Sequence, residues 1–175
     1  AIYKILVDTS QEIRFVCARY ENPDSVLKKI AEERQITFIS HPNINSDEFL
    51  EIITPFLCDL LVSMSFNQIF KKRIINSTPK KIINCHAGKL PFYRGRNVLN
   101  WALINDEKEF GITVHYVDEG IDTGDILLQK NYKISDQDNY ATLLERAYKE
   151  CPKLLYRGIK NIQDGTVERI KQNTL

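Results

Sequence analysis

Nowhere among the 175 residues is there an apolar run approaching the roughly 20 residues that carry a helix across a bilayer. Stretches such as Ile5 to Val7, or Asp59 to Met64 with its polar interruptions, fall far short, so a soluble protein is expected. Charge of one sign is lacking too. Lys plus Arg number 24 against 23 for Asp plus Glu, a formal net charge of +1, which excludes the broad basic field that attracts nucleic-acid phosphates or anionic lipid. The four cysteines, Cys17, Cys58, Cys85 and Cys151, are scattered, form no Cys-x-x-Cys pair and follow no signal-peptide pattern, so reduced thiols in a cytoplasmic protein are expected. No Gly-x-Gly-x-x-Gly, phosphate-binding loop or Gly-x-Ser-x-Gly elbow occurs. The three histidines, His41, His86 and His115, show no His-Glu-x-x-His or other ligand spacing, so no metal is expected.

What is present is ordinary globular composition, 43% hydrophobic and 27% charged, with no linker or repeat to divide it. A single domain over 1–175 is expected. Alternation of Ile13, Phe15 and Cys17 with Arg14 and Val16 predicts a strand over 12–18. A helix is predicted over 25–35, where Leu27, Ile30 and Ala31 share one face, then a short strand over 36–39. Asn45 with Glu48 three residues later reads as a capping box opening a helix that Pro55 stops. Further strands are predicted over 60–64, 81–86, 111–117 and 125–134, and helices over 97–105 and 139–163. Strands separated by helices predict an open, mostly parallel α/β sheet with helices on both faces, whose ligands bind beyond the carboxyl ends of the strands. That directs attention to the segments after Met64, Ile83 and Val117.

Two stretches there carry groups suited to chemistry. Along a strand Asn84 and His86 share a face while Cys85 points away, so Cys85 and His86 cannot pair as thiolate and imidazole. A carboxamide donor suits a developing oxyanion, and an imidazole suits proton transfer near neutral pH. In the second stretch Thr113 and His115 share a face, and Gly120 and Gly124 bracket a tight loop holding Asp122, a carboxylate able to orient an imidazole.

Asn-x-His, Leu-Pro-x-Tyr-Arg-Gly, Trp-Ala, Gly-x-Thr-x-His and Gly-x-Asp-Thr-Gly, in this order, resemble the formyltransferases that use 10-formyltetrahydrofolate, from about Asp59 to Gln129 and more weakly beyond. The resemblance implies a Rossmann-like catalytic domain, with Asn84, His86 and Asp122 as the catalytic trio and Thr113 and His115 as supporting polar residues near Asp122. It places the folate against Ser65, Phe66, Asn67, Gln68 and Ile69 and against the loop with Val117, Gly120 and Ile121. Lys89 and Arg94 are implied candidates for substrate phosphate or folate carboxylates. The cosubstrate implied is 10-formyltetrahydrofolate, with no metal.

Gly88-Lys89-Leu90-Pro91, Trp101-Ala102 and His115-Tyr116 look more like the sugar N-formyltransferases than like those acting on methionyl-tRNA or glycinamide ribonucleotide. The expected partner is therefore a nucleotide-linked amino sugar destined for surface polysaccharide, not nucleic acid or membrane, with a homodimer left open. Ala1 to Val7 matches the end of the helix that follows the relatives' first strand better than it matches that strand, so both ends of the family domain are expected to be incomplete. The rival reading is a non-catalytic module that keeps folate or nucleotide binding alone.

Overall fold

The structure, a computed structural model, describes residues 11–172. In chain order it forms β1 (Phe15–Ala18), α1 (Ser25–Glu33), β2 (Thr37–Ser40), α2 (Asp47–Ile53), β3 (Leu61–Ser63), α3 (Lys72–Ile75), β4 (Ile82–His86), α4 (Val98–Ile104), β5 (Glu109–Tyr116), β6 (Ile126–Lys133) and α5 (Tyr140–Gln163). The α/β class is as expected, an open arrangement with helices on both sides and no closed barrel. The strand directions are more mixed. β1 pairs with β2 and β3 with β4 in parallel, whereas β4 with β5 and β5 with β6 are antiparallel. The expectation for Ala1 to Val7 lies outside the described residues.

Helix starts follow from capping chemistry. Asp24 accepts a hydrogen bond from the Leu27 amide at 2.9 Å and opens α1, which buries Ile30 and Ala31. The cap of α2 is Ser46, not Asn45: the Ser46 hydroxyl accepts from the Phe49 amide at 3.2 Å. The Asn45 carboxamide instead bridges to the segment after β3, donating to the Ile69 carbonyl and accepting from the Lys71 amide. Glu48 approaches His41 Nε2 at 3.4 Å rather than closing a box. In α5 a complete capping box forms, since Asn139 Oδ1 accepts from the Ala141 and Thr142 amides and Thr142 Oγ1 accepts from the Asn139 amide. Among the described residues no helix is long and apolar enough to cross a membrane.

The pleat of β4 and β5 divides the interior in two. Ile83, Cys85, Ile112, Val114 and Tyr116 pack with Leu99 and Ala102 of α4 and Leu143, Ala147, Leu154 and Leu155 of α5. Ile82 joins Phe49 and Ile53 of α2, Ile74 and Ile75 of α3, and Ile39 and Ile44 in a second cluster. Leu143 and Leu155 are 0% and 1% exposed, and truncating such a side chain to alanine costs about 2–5 kcal/mol. Among the described residues β1 and β3 are each paired on one side only.

Candidate active site

Period-2 geometry places Asn84 and His86 on the face of β4 turned away from α5. The antiparallel register then sets His115 beside Asn84 and Thr113 beside His86. Four polar side chains thus share one patch of sheet. Because β5 runs antiparallel, its exit beside Ile82, where the Val117 amide donates to the Ile82 carbonyl, is at the opposite end of β4 from His86. The loop after Val117 therefore does not start at the carboxyl end of β4, contrary to the parallel-sheet expectation. It reaches the site by folding back over the sheet face, and Asp122 sits at its turn.

Asp122 contacts both imidazoles. Its Oδ1 lies 3.3 Å from His115 Nε2 and its Oδ2 lies 3.6 Å from His86 Nδ1, with the carboxylate 15% exposed. Oδ2 also accepts from the Gly95 amide at 2.9 Å, which ties the loop after β4 to the loop after β5. Asp122 has a left-handed backbone, φ 53°, a conformation that costs a residue other than glycine roughly 1–2 kcal/mol and that aspartate tolerates better than most. Gly124 follows because a Cβ there would lie 1.9 Å from the Tyr116 carbonyl oxygen.

The two rings are oriented by main-chain carbonyls. His86 Nε2–H donates to the Tyr93 carbonyl at 2.6 Å, so in the neutral ring Nδ1 is bare and turned to Asp122. His115 Nδ1–H donates to the Tyr116 carbonyl at 2.7 Å, leaving Nε2 between Asp122 and the Asn84 amide nitrogen, 3.3 Å away. Neutral, that nitrogen accepts from Asn84; protonated, it donates to Asp122. Gly88 is required beside His86, since a Cβ would lie 2.2 Å from the Tyr93 oxygen and 2.3 Å from His86 Nε2.

Burial lowers the His86 pKa from its ordinary value; Asp122 and the Tyr93 carbonyl oppose this, and His115 adds to it. For Asp122 burial acts to raise the carboxyl, but the His115 hydrogen bond, the His86 charge and the Gly95 amide outweigh it, and the net shift is downward. An ionised carboxylate therefore sits beside an imidazole that stays neutral at pH 7.

Several anticipated residues are placed otherwise. Thr113 does not approach Asp122 in the way His115 does: its hydroxyl donates to the Gly88 carbonyl at 2.7 Å and accepts from Gln129 Nε2 at 2.9 Å, holding the turn after His86. Lys89 pairs with Glu109, and Arg94 donates to Gln172 Oε1, so both cations have partners within the chain. Gln68 is taken up as well, accepting from the Ile44 amide and donating to the His41 carbonyl. Phe66 lies against Phe70 and the second cluster, as does Val117, whereas Ser65, Asn67, Ile69, Gly120 and Ile121 are exposed. The segment 65–69 leaves the sheet at the His86 end, because β3 is parallel to β4. Cys85 turns to the opposite face, its Sγ 3.6 Å from the Cys151 carbonyl.

Three residues that spacing did not reveal also serve this site: the Tyr93 carbonyl, Gln129 and Gln172. The Tyr93 contact is made by a main-chain carbonyl, which side-chain identity does not betray, and the Gln129 and Gln172 contacts span 16 and 50 residues and leave no periodic trace. Among the described residues no group of three or more His, Cys, Asp or Glu side chains is arranged to hold a metal ion.

The methionyl-tRNA formyltransferase of Desulforamulus reducens is 30% identical over 97% of this chain, which matches 56% of that protein's length. The chain thus spans about half of that curated relative. Among solved structures, the phosphoribosylglycinamide formyltransferase of Anaplasma phagocytophilum aligns with TM-score 0.79 and 25% identity over 95% of this chain and 86% of that one. WlaRD, a sugar 3N-formyl transferase, shares the fold at TM-score 0.78 and 24% identity over 99% of this chain and 62% of its own. The formyl transferase family model matches residues 3–159, the stretch that contains the whole Asn84, His86, His115 and Asp122 cluster, and the chain belongs to that family.

Proposed function

We propose that this chain transfers a formyl group from 10-formyltetrahydrofolate to the primary amine of a nucleotide-linked amino sugar, with Asn84, His86 and Asp122 as the reacting groups and His115 in support. The observation that carries the reading is the convergence of a carboxamide, an imidazole and a carboxylate on one sheet face.

The folate would supply an activated formyl carbon. Exposed Ile69 and Ile121, each 59% accessible, offer apolar contact to a flat heterocycle near the site. As the amine adds, Asn84 Nδ2 donates to the oxygen that gains negative charge. His86 Nδ1, bare in the neutral ring, takes the amine proton and returns it to the departing folate nitrogen. Asp122 lies 3.6 Å from that Nδ1, beyond direct hydrogen-bond length but close enough to stabilise the imidazolium. A binding-only domain has no chemical use for this set.

The sugar acceptor rests on Gly88-Lys89-Leu90-Pro91, Trp101-Ala102 and His115-Tyr116. A second reading, methionyl-tRNA as acceptor, is favoured by the relative that is 30% identical. The test is to incubate the protein with 10-formyltetrahydrofolate and, separately, nucleotide-linked amino sugars, methionyl-tRNA and glycinamide ribonucleotide, following tetrahydrofolate release and product mass. A gain of 28 Da on a sugar amine is expected. Formylation of methionyl-tRNA alone would replace the acceptor, and release with none of them would overturn amine transfer.

A further inference from the structure

Gln172 lies beyond residue 159, where the family match ends, yet it touches both loops that hold Asp122. Its Nε2 donates to the Asp122 carbonyl at 2.9 Å and the Gly124 carbonyl at 2.7 Å. Its Oε1 accepts from Arg94 Nη2 at 2.7 Å and Nε at 3.1 Å. Gly95, the neighbour of Arg94, donates its amide to the Asp122 carboxylate. A closed circuit results: Gln172 to the Asp122 main chain, the Asp122 side chain to Gly95, and Arg94 back to Gln172. The segment bearing Gln172 is itself anchored, because Ile170 and Ile126 exchange main-chain hydrogen bonds of 2.8 and 2.9 Å and the Arg169 guanidinium lies 4.1 Å over the Tyr116 ring.

We propose that Gln172 is a positioning residue for formyl transfer, holding the left-handed turn at Asp122 in register with the Arg94-Gly95 turn so that the carboxylate faces His86 and His115. This rests on the role given to Asp122 above. The chemistry asks for a carboxamide in particular. Two carbonyls need donors and a guanidinium needs an acceptor, and glutamine is the one side chain of this length that supplies both. Glutamate keeps the shape and the Arg94 contact but turns lone pairs toward the Asp122 and Gly124 carbonyls. Leucine removes both halves.

The consequence is read at His86. Facing that ring are Asp122 from the loop after β5, the His115 ring 6.5 Å away on β5, and the Tyr93 carbonyl from the loop after β4. Of the cations nearby, Lys89 is paired with Glu109 and Arg94 with Gln172. When the Asp122 turn loosens, the carboxylate's raising influence on His86 weakens, and the imidazole titrates at lower pH.

The experiment compares full-length wild type, Gln172→Glu and Gln172→Leu, with Lys171→Ala at the exposed neighbouring position as control. It measures kcat and KM for formyl transfer across pH, melting temperature, and the His86 titration by NMR. Both Gln172 variants are expected to lose about tenfold or more in kcat with KM for the folate nearly unchanged, the signature of misplaced reacting groups. For Gln172→Leu, which adds no charge, the acid limb of kcat/KM and the His86 midpoint should both move to lower pH, while Lys171→Ala behaves as wild type. Loss of melting temperature with kcat and the His86 midpoint unchanged would show a merely structural contact and overturn the proposal, as would wild-type values throughout. Should Gln172→Leu fail to fold, Gln172→Met, uncharged and of similar length, decides by the same readings. The His86 titration needs no turnover, so a wild-type protein without formyl transfer refutes the proposed function and still leaves this inference decided.

Discussion

In the proposed transfer Asn84 donates to the atom that becomes negative and His86 is the base, so removing either side chain removes a reacting group. Asn84→Ala and His86→Ala should each lower turnover by about a hundredfold or more with circular dichroism unchanged. Cys85→Ala, between them in sequence, should leave turnover near wild type, because its thiol lies on the other sheet face against Cys151. An equal loss in all three variants would show that the strand, rather than its polar face, matters. Gly88→Ala should also abolish the proposed transfer, since the new methyl and the His86 ring cannot both occupy the space under the Tyr93 carbonyl; a crystal structure of an active variant with His86 undisplaced would refute this. At this scale strand alternation made the shared face of Asn84 and His86, and the opposite placement of Cys85, legible in advance. It put Thr113 on that face too but could not show that its hydroxyl serves Gly88, nor reveal Gln172, which reaches Asp122 across 50 residues of chain.

Elements were legible where a local signal states a boundary. The last helix is an example: Asn139 and Thr142 cap each other, and the predicted start coincides with the observed cap. Asn139→Ala leaves the Ala141 and Thr142 amides without that acceptor and should cost about 1 kcal/mol in urea unfolding, with the m-value unchanged if the native and unfolded states keep their extents. At α2 the signal was ambiguous, because Asn45 and Ser46 are both good caps. Tertiary contacts decided it, drawing the Asn45 carboxamide to Ile69 and Lys71. Direction in the sheet was not legible at all. Alternation reads the same for a parallel as for an antiparallel strand, and only the observed register shows that β5 reverses and sends the loop bearing Asp122 back over the sheet.

Across the whole molecule, both groups at the centre of the site have folded pKa values below their ordinary ones. The unfolded chain therefore binds more protons than the folded one, and stability falls on acidification. The His86 part begins to be lost as the pH drops below its ordinary 6.5 and is fully lost below its folded value; the Asp122 part follows below its ordinary 3.8. Urea midpoints should decline from pH 8 to pH 5, and His86→Gln should flatten that decline; a midpoint that rises on acidification would contradict the site electrostatics. The unequal flanking of the strands bears on cooperativity in another way. β4 and β5 each have a hydrogen-bonded neighbour on both sides, whereas among the described strands β6 is paired with β5 alone. Hydrogen–deuterium exchange should register this as two clocks: the Lys130–Lys133 amides exchanging through local fraying of β6, and the Ile112–Val114 amides exchanging only when the entire chain unfolds.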